Sequence, residues 1–246
     1  MADHSPALQL YTLRTSLTTD LAGTLERAAT IGFDNVELYR FEQYRDEYRT
    51  ALAATGLHPI SAHADLIRGD ARGAIETALA LGVGTLIEPR IDAARWTTRH
   101  DIADAAAELN GVARIARDHG VAIGYHNHDH EVTHEFDGKT GLEVFAEALD
   151  DDVVLEFDLF WAEVGGTSAV DLVAELGDRV RFLHVKDGPY SRALVDQVSA
   201  GEGEMPVEAV LKAAPEATRI VEFDDCAGDV FDAVARSLRY LAEVGR

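Results

Sequence analysis

The chain has 246 residues, 47% of them hydrophobic and 27% charged, an ordinary globular composition with enough apolar material for a sizeable core. Its formal net charge of −22 repels nucleic acid and anionic membranes, and its single cysteine, Cys226, excludes an intramolecular disulfide and suits a reducing, cytoplasmic compartment. No apolar stretch is long enough to span a bilayer, and the start, MADHSPALQLYTLR, lacks the basic region and longer apolar run of a secretory leader.

Eight short apolar runs follow one another along the chain. They predict strands at Ala7–Leu13, Asn35–Leu38, Pro59–Ala62, Thr85–Glu88, Ala122–His126, Val153–Asp158, Val180–Val185 and Arg219–Glu222. The runs are near-continuous rather than alternating, the pattern of strands covered on both faces. The stretches between them have helical periodicity. Leu21, Leu25, Ala28 and Ala29 share a face and Gly32 follows as a stop. Tyr48, Leu52 and Ala53 precede Gly56, and Ile75, Ala78 and Leu79 precede Gly82. Ile102, Ala106, Leu109, Ala113 and Ala116 precede Gly120. Ser168 is placed to cap a helix over residues 169–176, with Gly177 after it, and a last helix runs from Asp229 to Val244.

This strand, helix, glycine, strand grammar predicts an α/β fold, a single (β/α)8 barrel domain over residues 1–246, close to the roughly 250 residues such barrels use. An open doubly wound sheet would want a glycine-rich turn after its first strand, and LYTLRTSL has no glycine.

Active residues of such barrels sit where strands end and βα loops begin. Those positions hold Gln9 and Arg14, Glu37, His63, then Glu88 with Arg90. They continue with His126, His128, His130 and Glu131, then Glu156, Asp158 and Trp161, then His184, Lys186 and Asp187, and end with Glu222, Asp224 and Asp225. If the barrel closes, these carboxylates and imidazoles surround one mouth. They would repel or stay unpaired unless a cation organises them. Imidazole with carboxylate suits Mn²⁺, Zn²⁺ or Co²⁺, and Mg²⁺ less well. The plainer reading of Glu37 and Glu88 is a buried ion pair with Arg14 or Arg90.

The segments LQLYTLR, GFDNVELY, SAHADL, YHNHDHE, EFDLFWA, FLHVKDG and IVEFD resemble the sugar phosphate isomerase/epimerase family of xylose isomerase-like barrels, in order and over nearly the whole chain. The resemblance implies one divalent metal ion held by residues at the ends of strands five to eight: His126, Asp158, His184 and Glu222. The family usually has a glutamate where His126 stands, and His128 is the rival ligand there. It further implies proton transfer by His128, Lys186 or Glu37, and substrate contacts from Gln9, His63, Glu88, Trp161 and Glu131. The implied reaction is isomerisation or epimerisation of a sugar, keto-sugar or polyol through an enediolate. An inosose-dehydratase-like lyase is the alternative. A phosphodiesterase of the endonuclease IV type fits less well, because Trp161 and Glu88 stand where that family has histidines. A barrel that only binds a polyol would be expected to lack some of the metal ligands. The expected partner is a small sugar or polyol, without nucleic acid or membrane, in a monomer or homo-oligomer.

Overall fold

A computed structural model describes residues 5–244, so the outermost ends of the expected domain over residues 1–246 lie outside the described residues. The eight strands are β1 (Ala7–Gln9), β2 (Asn35–Leu38), β3 (His58–His63), β4 (Thr85–Glu88), β5 (Ala122–His126), β6 (Val154–Asp158), β7 (Val180–Val185) and β8 (Thr218–Val221). All pair in parallel with their chain neighbours, and β8 returns to β1, closing an eight-stranded barrel surrounded by helices. A small hairpin, Glu135–Phe136 with Lys139–Thr140, sits in the β5–β6 connection.

The first strand is shorter than its apolar run suggests. The Gln9 side chain accepts the Tyr11 N–H at 2.9 Å and turns residues Leu10–Leu13 into a 3-10 helix. A short helix, Arg14–Thr19, follows. Glu222 lies one residue past β8, with its N–H still bonded to the Val185 carbonyl at 3.3 Å. The expected helix signals operate: Ser168 caps Ala169–Leu176 through the Asp171 N–H, and Gly32, Gly56 and Gly82 end their helices at positive φ. The last helix spans Val230–Val244.

Side chains of a strand alternate between two faces. On β5, Tyr125 faces outward, its ring 4.9 Å from Phe145 and 5.6 Å from Trp96 in the helical layer. Gly124 and His126 therefore face the barrel interior. Register carries this phase to the neighbours: Glu88 pairs with Tyr125 and faces outward, whereas Glu156 pairs with His126 and faces inward. Gly124 leaves room that its neighbours fill. A Cβ there would stand 2.6 Å from Ile87 Cδ1 and 2.9 Å from Val154 Cγ2, side chains of the two flanking strands. Gly124→Ala is therefore expected to destabilise the fold by about 1–3 kcal/mol through overpacking, read as a lower denaturant midpoint with unchanged slope.

Candidate functional site

Five positions around the barrel present two polar side chains two residues apart, and their contacts turn both members of each pair inward or to the mouth. They are Ser61 and His63, His126 and His128, Glu156 and Asp158, His184 and Lys186, and Glu222 and Asp224. Gln9 and Glu37 complete the circle from β1 and β2.

In the deeper part, Gln9 Nε2 donates to Glu37 Oε1 at 2.5 Å and Ser61 Oγ donates to Glu37 Oε2 at 2.6 Å. These three residues are abreast in the strand register. Glu37 Oε1 lies 3.2 Å from His63 Nε2 and 2.8 Å from His184 Nε2. Glu156 Oε1 meets the same two nitrogens at 2.7 and 3.0 Å, and His126 Nδ1 at 3.2 Å. Nearer the mouth, His184 Nδ1 meets Glu222 Oε2 at 2.5 Å. Lys186 Nζ lies 2.9 Å from Asp158 Oδ2, 2.8 Å from Glu222 Oε2 and 3.0 Å from Asp224 Oδ2.

Five carboxylates thus gather around three imidazoles and one lysine, and the lysine meets three of them. Burial alone would depress His63, but the carboxylates of Glu37 and Glu156 overcome it and lift its pKa to about 10. Burial opposes the charged form of His184 as well, and Glu156 and Glu222 raise it well above its ordinary value. Glu37 is held well below the carboxylate range by these imidazoles despite its burial. Burial and the charge of Glu37 push Glu156 up, and burial pushes Asp158 up. Lys186 stays charged against burial because of Asp158, Asp224 and Glu222. His126 and His128 go the other way. Burial lowers both, His184 adding to it for the first and Lys186 for the second.

The donor set fits a divalent cation. Among the described residues, two overlapping groups offer ligand atoms within 4.8 Å of one another: His63, His126, Glu156 and His184, and His126, Asp158, His184 and Glu222. Several of their atoms are buried without a hydrogen-bond partner, namely His126 Nδ1, Glu156 Oε2 and Asp158 Oδ2. Asp158 Oδ2 has the Lys186 charge beside it, off hydrogen-bond geometry. Buried polar atoms are rarely left this way without an additional group to bind.

A cavity of about 390 Å³ opens above. His63, His126, His128, Lys186, Glu222 and Asp224 line its deeper wall, and Tyr11, Tyr39, Arg40, Glu42, Asp65 and Arg90 its outer wall. Glu37, Glu156, Asp158 and His184 lie below, fully buried. The Trp161 ring supports the wall, 5.8 Å from Lys186 Nζ and 6.2 Å between centroids from His128.

Two expected members of the mouth are elsewhere. Glu88, outward on β4, accepts the N–H groups of Leu66 at 2.7 Å and Ile67 at 3.0 Å. Glu131 accepts the Tyr125 hydroxyl at 2.5 Å and the His128 N–H at 2.9 Å. Both carboxylates brace loops behind the cavity, and neither lines it. Ion pairing with arginine is not what holds Glu37 or Glu88. Arg14 donates to the Tyr11 and Asp224 carbonyls instead. The 201–203 loop is tied to Asp187, whose carboxylate accepts the Gly201 N–H at 2.8 Å, and it does not line this cavity either. Glu156, absent from the expected ligands, sits at the centre of the cluster. Its signal was the spacing: two residues before Asp158, it shares that residue's face.

Burial raises the pKa of Glu88 to about 7 and that of Glu131 to about 8. A carboxyl raised above its unfolded value of 4.5 stabilises the fold while protonated, and that contribution is lost as pH rises from 4.5 through the folded value. The melting temperature is therefore expected to fall between pH 5 and 9. In Glu131→Gln the fall should be shallower, so that the variant gains on the parent as pH rises.

Residues 25–243 match the model of a protein family described as xylose isomerase-like TIM barrel. No curated protein matches the chain. Among solved structures, a sugar phosphate isomerase/epimerase from Parabacteroides distasonis is 24% identical at a TM-score of 0.79, the match covering 100% of this chain and 96% of that one. A zinc-bound IolI protein is 18% identical over 98% of each chain, with a TM-score of 0.73. A D-psicose 3-epimerase crystallised with D-fructose is 15% identical over 98% of this chain and 99% of that one, with a TM-score of 0.67. At these identities the likeness establishes the fold.

Proposed function

The chain belongs to the xylose isomerase-like TIM barrel family, and from that premise we propose that it is a divalent-metal-dependent isomerase or epimerase of a sugar, keto-sugar or polyol. One observation carries the reading: a buried cluster of imidazoles and carboxylates forms the floor of a cavity of about 390 Å³, sized for a small polar molecule. The sugar phosphate isomerase/epimerase and the D-psicose 3-epimerase among the similar solved structures support it.

His126 and His184, with the carboxylates beside them, would hold the ion. Bound there, it would supply Lewis acidity to a substrate carbonyl and a neighbouring hydroxyl.

The chain's own residues divide the remaining work. His128 lines the cavity, and burial together with the Lys186 charge keeps its ring neutral and able to accept a proton. Its backbone N–H is fixed by Glu131 at 2.9 Å, which sets the position of the ring. We assign it as the base that takes the proton from the carbon next to the carbonyl and returns it. Return by this ring to the neighbouring carbon on the same face isomerises; epimerisation delivers a proton to the opposite face of the same carbon and so needs a second donor there. Lys186 is buried with three carboxylate oxygens within 3.0 Å that hold it charged, so it is assigned as a fixed cation and not as a proton carrier. Its part is to hold Asp158 and Glu222 in place and to keep His128 neutral. Glu37, fully buried and engaged by Gln9, Ser61 and the imidazoles, is a positioning residue rather than a proton carrier. Tyr11, Tyr39 and the rim arginines present hydroxyl and guanidinium donors to substrate hydroxyls.

Proton exchange tests this directly. Protein loaded with Mn²⁺, Zn²⁺ or Co²⁺ is incubated in D₂O with a panel of ketoses, aldoses and inososes, and deuterium is followed by NMR. Exchange next to the carbonyl is expected for at least one class, slowed about 10²–10⁴-fold in His128→Ala. No exchange with any member, at any metal loading, would overturn the reading; an unsaturated product would move it to the lyase.

His184→Ala is expected to lose both bound metal and activity, because this ring serves both groups of ligands. Metal analysis beside the exchange assay would show it, and a variant that kept full metal content would count against the assignment.

A further inference from the structure

The strand that ends in His126 carries a hydroxyl on its other face. Tyr125 points into the layer between barrel and helices, where its ring packs on Phe145 and Trp96 and none of its surface reaches solvent. For packing alone a phenylalanine would serve. The hydroxyl donates to Glu131 Oε1 at 2.5 Å and accepts the Ile91 N–H at a longer 3.4 Å. Glu131 is fully buried too, and its other oxygen, Oε2, accepts the His128 N–H at 2.9 Å. A carboxyl is costly to bury in an apolar layer. This one neither lines the cavity nor pairs with a lysine or arginine among the described residues.

Two neighbours extend the connection. Glu88, abreast of Tyr125 in the strand register, accepts the Leu66 and Ile67 N–H groups on one oxygen and the Arg90 N–H at 3.4 Å on the other. His130 Nε2 lies 3.1 Å from the Ile91 carbonyl oxygen, and its ring stacks on that of His128 with centroids 5.8 Å apart. The loops after β3, β4 and β5 are therefore tied together from behind. Each brings a residue to the cavity, namely Asp65, Arg90 and His128. The Tyr125 hydroxyl joins the second loop to the third, and two hydrogen bonds lead from it to the backbone of His128.

We propose that Tyr125 is a positioning residue for the proton transfer assigned to His128, acting through Glu131 on the backbone of the base and through Ile91 on the loop of Arg90. The inference rests on the functional reading above, in which His128 is the base. It adds a residue whose side chain does not line the cavity and makes no hydrogen bond to His126, Asp158, His184 or Glu222. A displaced base slows the step it performs and leaves the binding of substrate and ion intact.

Tyr125→Phe removes the hydroxyl and nothing else. With Mn²⁺-loaded protein and a substrate identified by proton exchange, kcat is expected to fall about 10-fold, with KM and bound metal within about twofold of the parent. Glu131→Leu breaks the same path one step nearer the base and should cost at least as much. Glu131→Gln keeps an acceptor for the His128 N–H and should cost less than Glu131→Leu. Combining Tyr125→Phe with Glu131→Leu should cost no more than Glu131→Leu alone, because both act through one connection. Phe145→Leu loosens the packing of the same ring without touching the hydroxyl; it should lower the melting temperature and leave kcat within about twofold. Amide exchange followed by NMR reads the connection without turnover: the His128 N–H should exchange about 10-fold faster in Tyr125→Phe and not in Phe145→Leu. An unchanged kcat in Tyr125→Phe, an equal loss in Phe145→Leu, or losses that multiply in the double variant would overturn the positioning role, and an unchanged His128 amide would overturn the connection itself. Parent protein that exchanges no substrate proton would instead overturn the functional reading on which the role depends.

Discussion

Five carboxylates drawn to one end of an apolar barrel set the terms for the rest of the site. An uncompensated charge buried there costs several kcal/mol, and like charges at hydrogen-bond separation add to the cost. The surroundings answer that problem. Lys186 is buried yet held charged by Asp158, Asp224 and Glu222. His63 and His184 acquire basicity that free histidine lacks. Gln9 and Ser61 give Glu37 hydrogen bonds on both of its oxygens. The field that draws protons onto His63 and His184 is the same field that would draw a metal ion, and the two occupants compete for the same lone pairs.

Much of this was legible before any coordinates. Strand positions fall close to the apolar runs, and β2, β4, β5 and β7 have the expected limits. The strand-end rule put His126, Asp158, His184 and Glu222 among the mouth positions, the family resemblance singled them out, and their ligand atoms lie within 4.8 Å of one another. The rule failed where it ignored the phase of the strand. Glu88 ends β4 as properly as Asp158 ends β6, but its register partner is Tyr125, which packs on the helices. Glu131 lies beyond the strand, where no periodicity applies, and the hydroxyl of that same Tyr125 holds it in the outer layer. Near-continuous apolar runs conceal phase because both faces are buried. The polar pairs two residues apart reveal it, and Glu156 could have been found that way.

The first strand shows a different limit. Its apolar run continues through Leu13, but a single side-chain bond from Gln9 to the Tyr11 N–H ends the strand after three residues. Hydropathy does not register such a bond. The consequence is functional as well as local, because the early turn puts Tyr11 in the cavity wall while the other carboxamide group of Gln9, its Nε2, reaches Glu37.

The cavity rim carries both signs of charge, Glu42 and Asp65 lining it together with Arg40 and Arg90. The chain carries −22 overall, yet Arg40 and Arg90 line the opening, and no carboxylate among the described residues forms an ion pair with either guanidinium. Most other arginines of the described surface, such as Arg27, Arg95, Arg114 and Arg117, are paired with acids. Arg40 in addition adopts a left-handed backbone at φ 51°, a conformation that costs a non-glycine residue energy. Two guanidinium groups thus stand unpaired with acids at the opening, while the negative groups below are compensated from within. On the proposed reading, a polyol or keto-sugar would meet donors and acceptors at the rim and acceptors and cations at the floor. The proposed reaction then requires the reacting end of the small molecule to lie down, beside His128, the geometry that proton transfer next to a carbonyl demands.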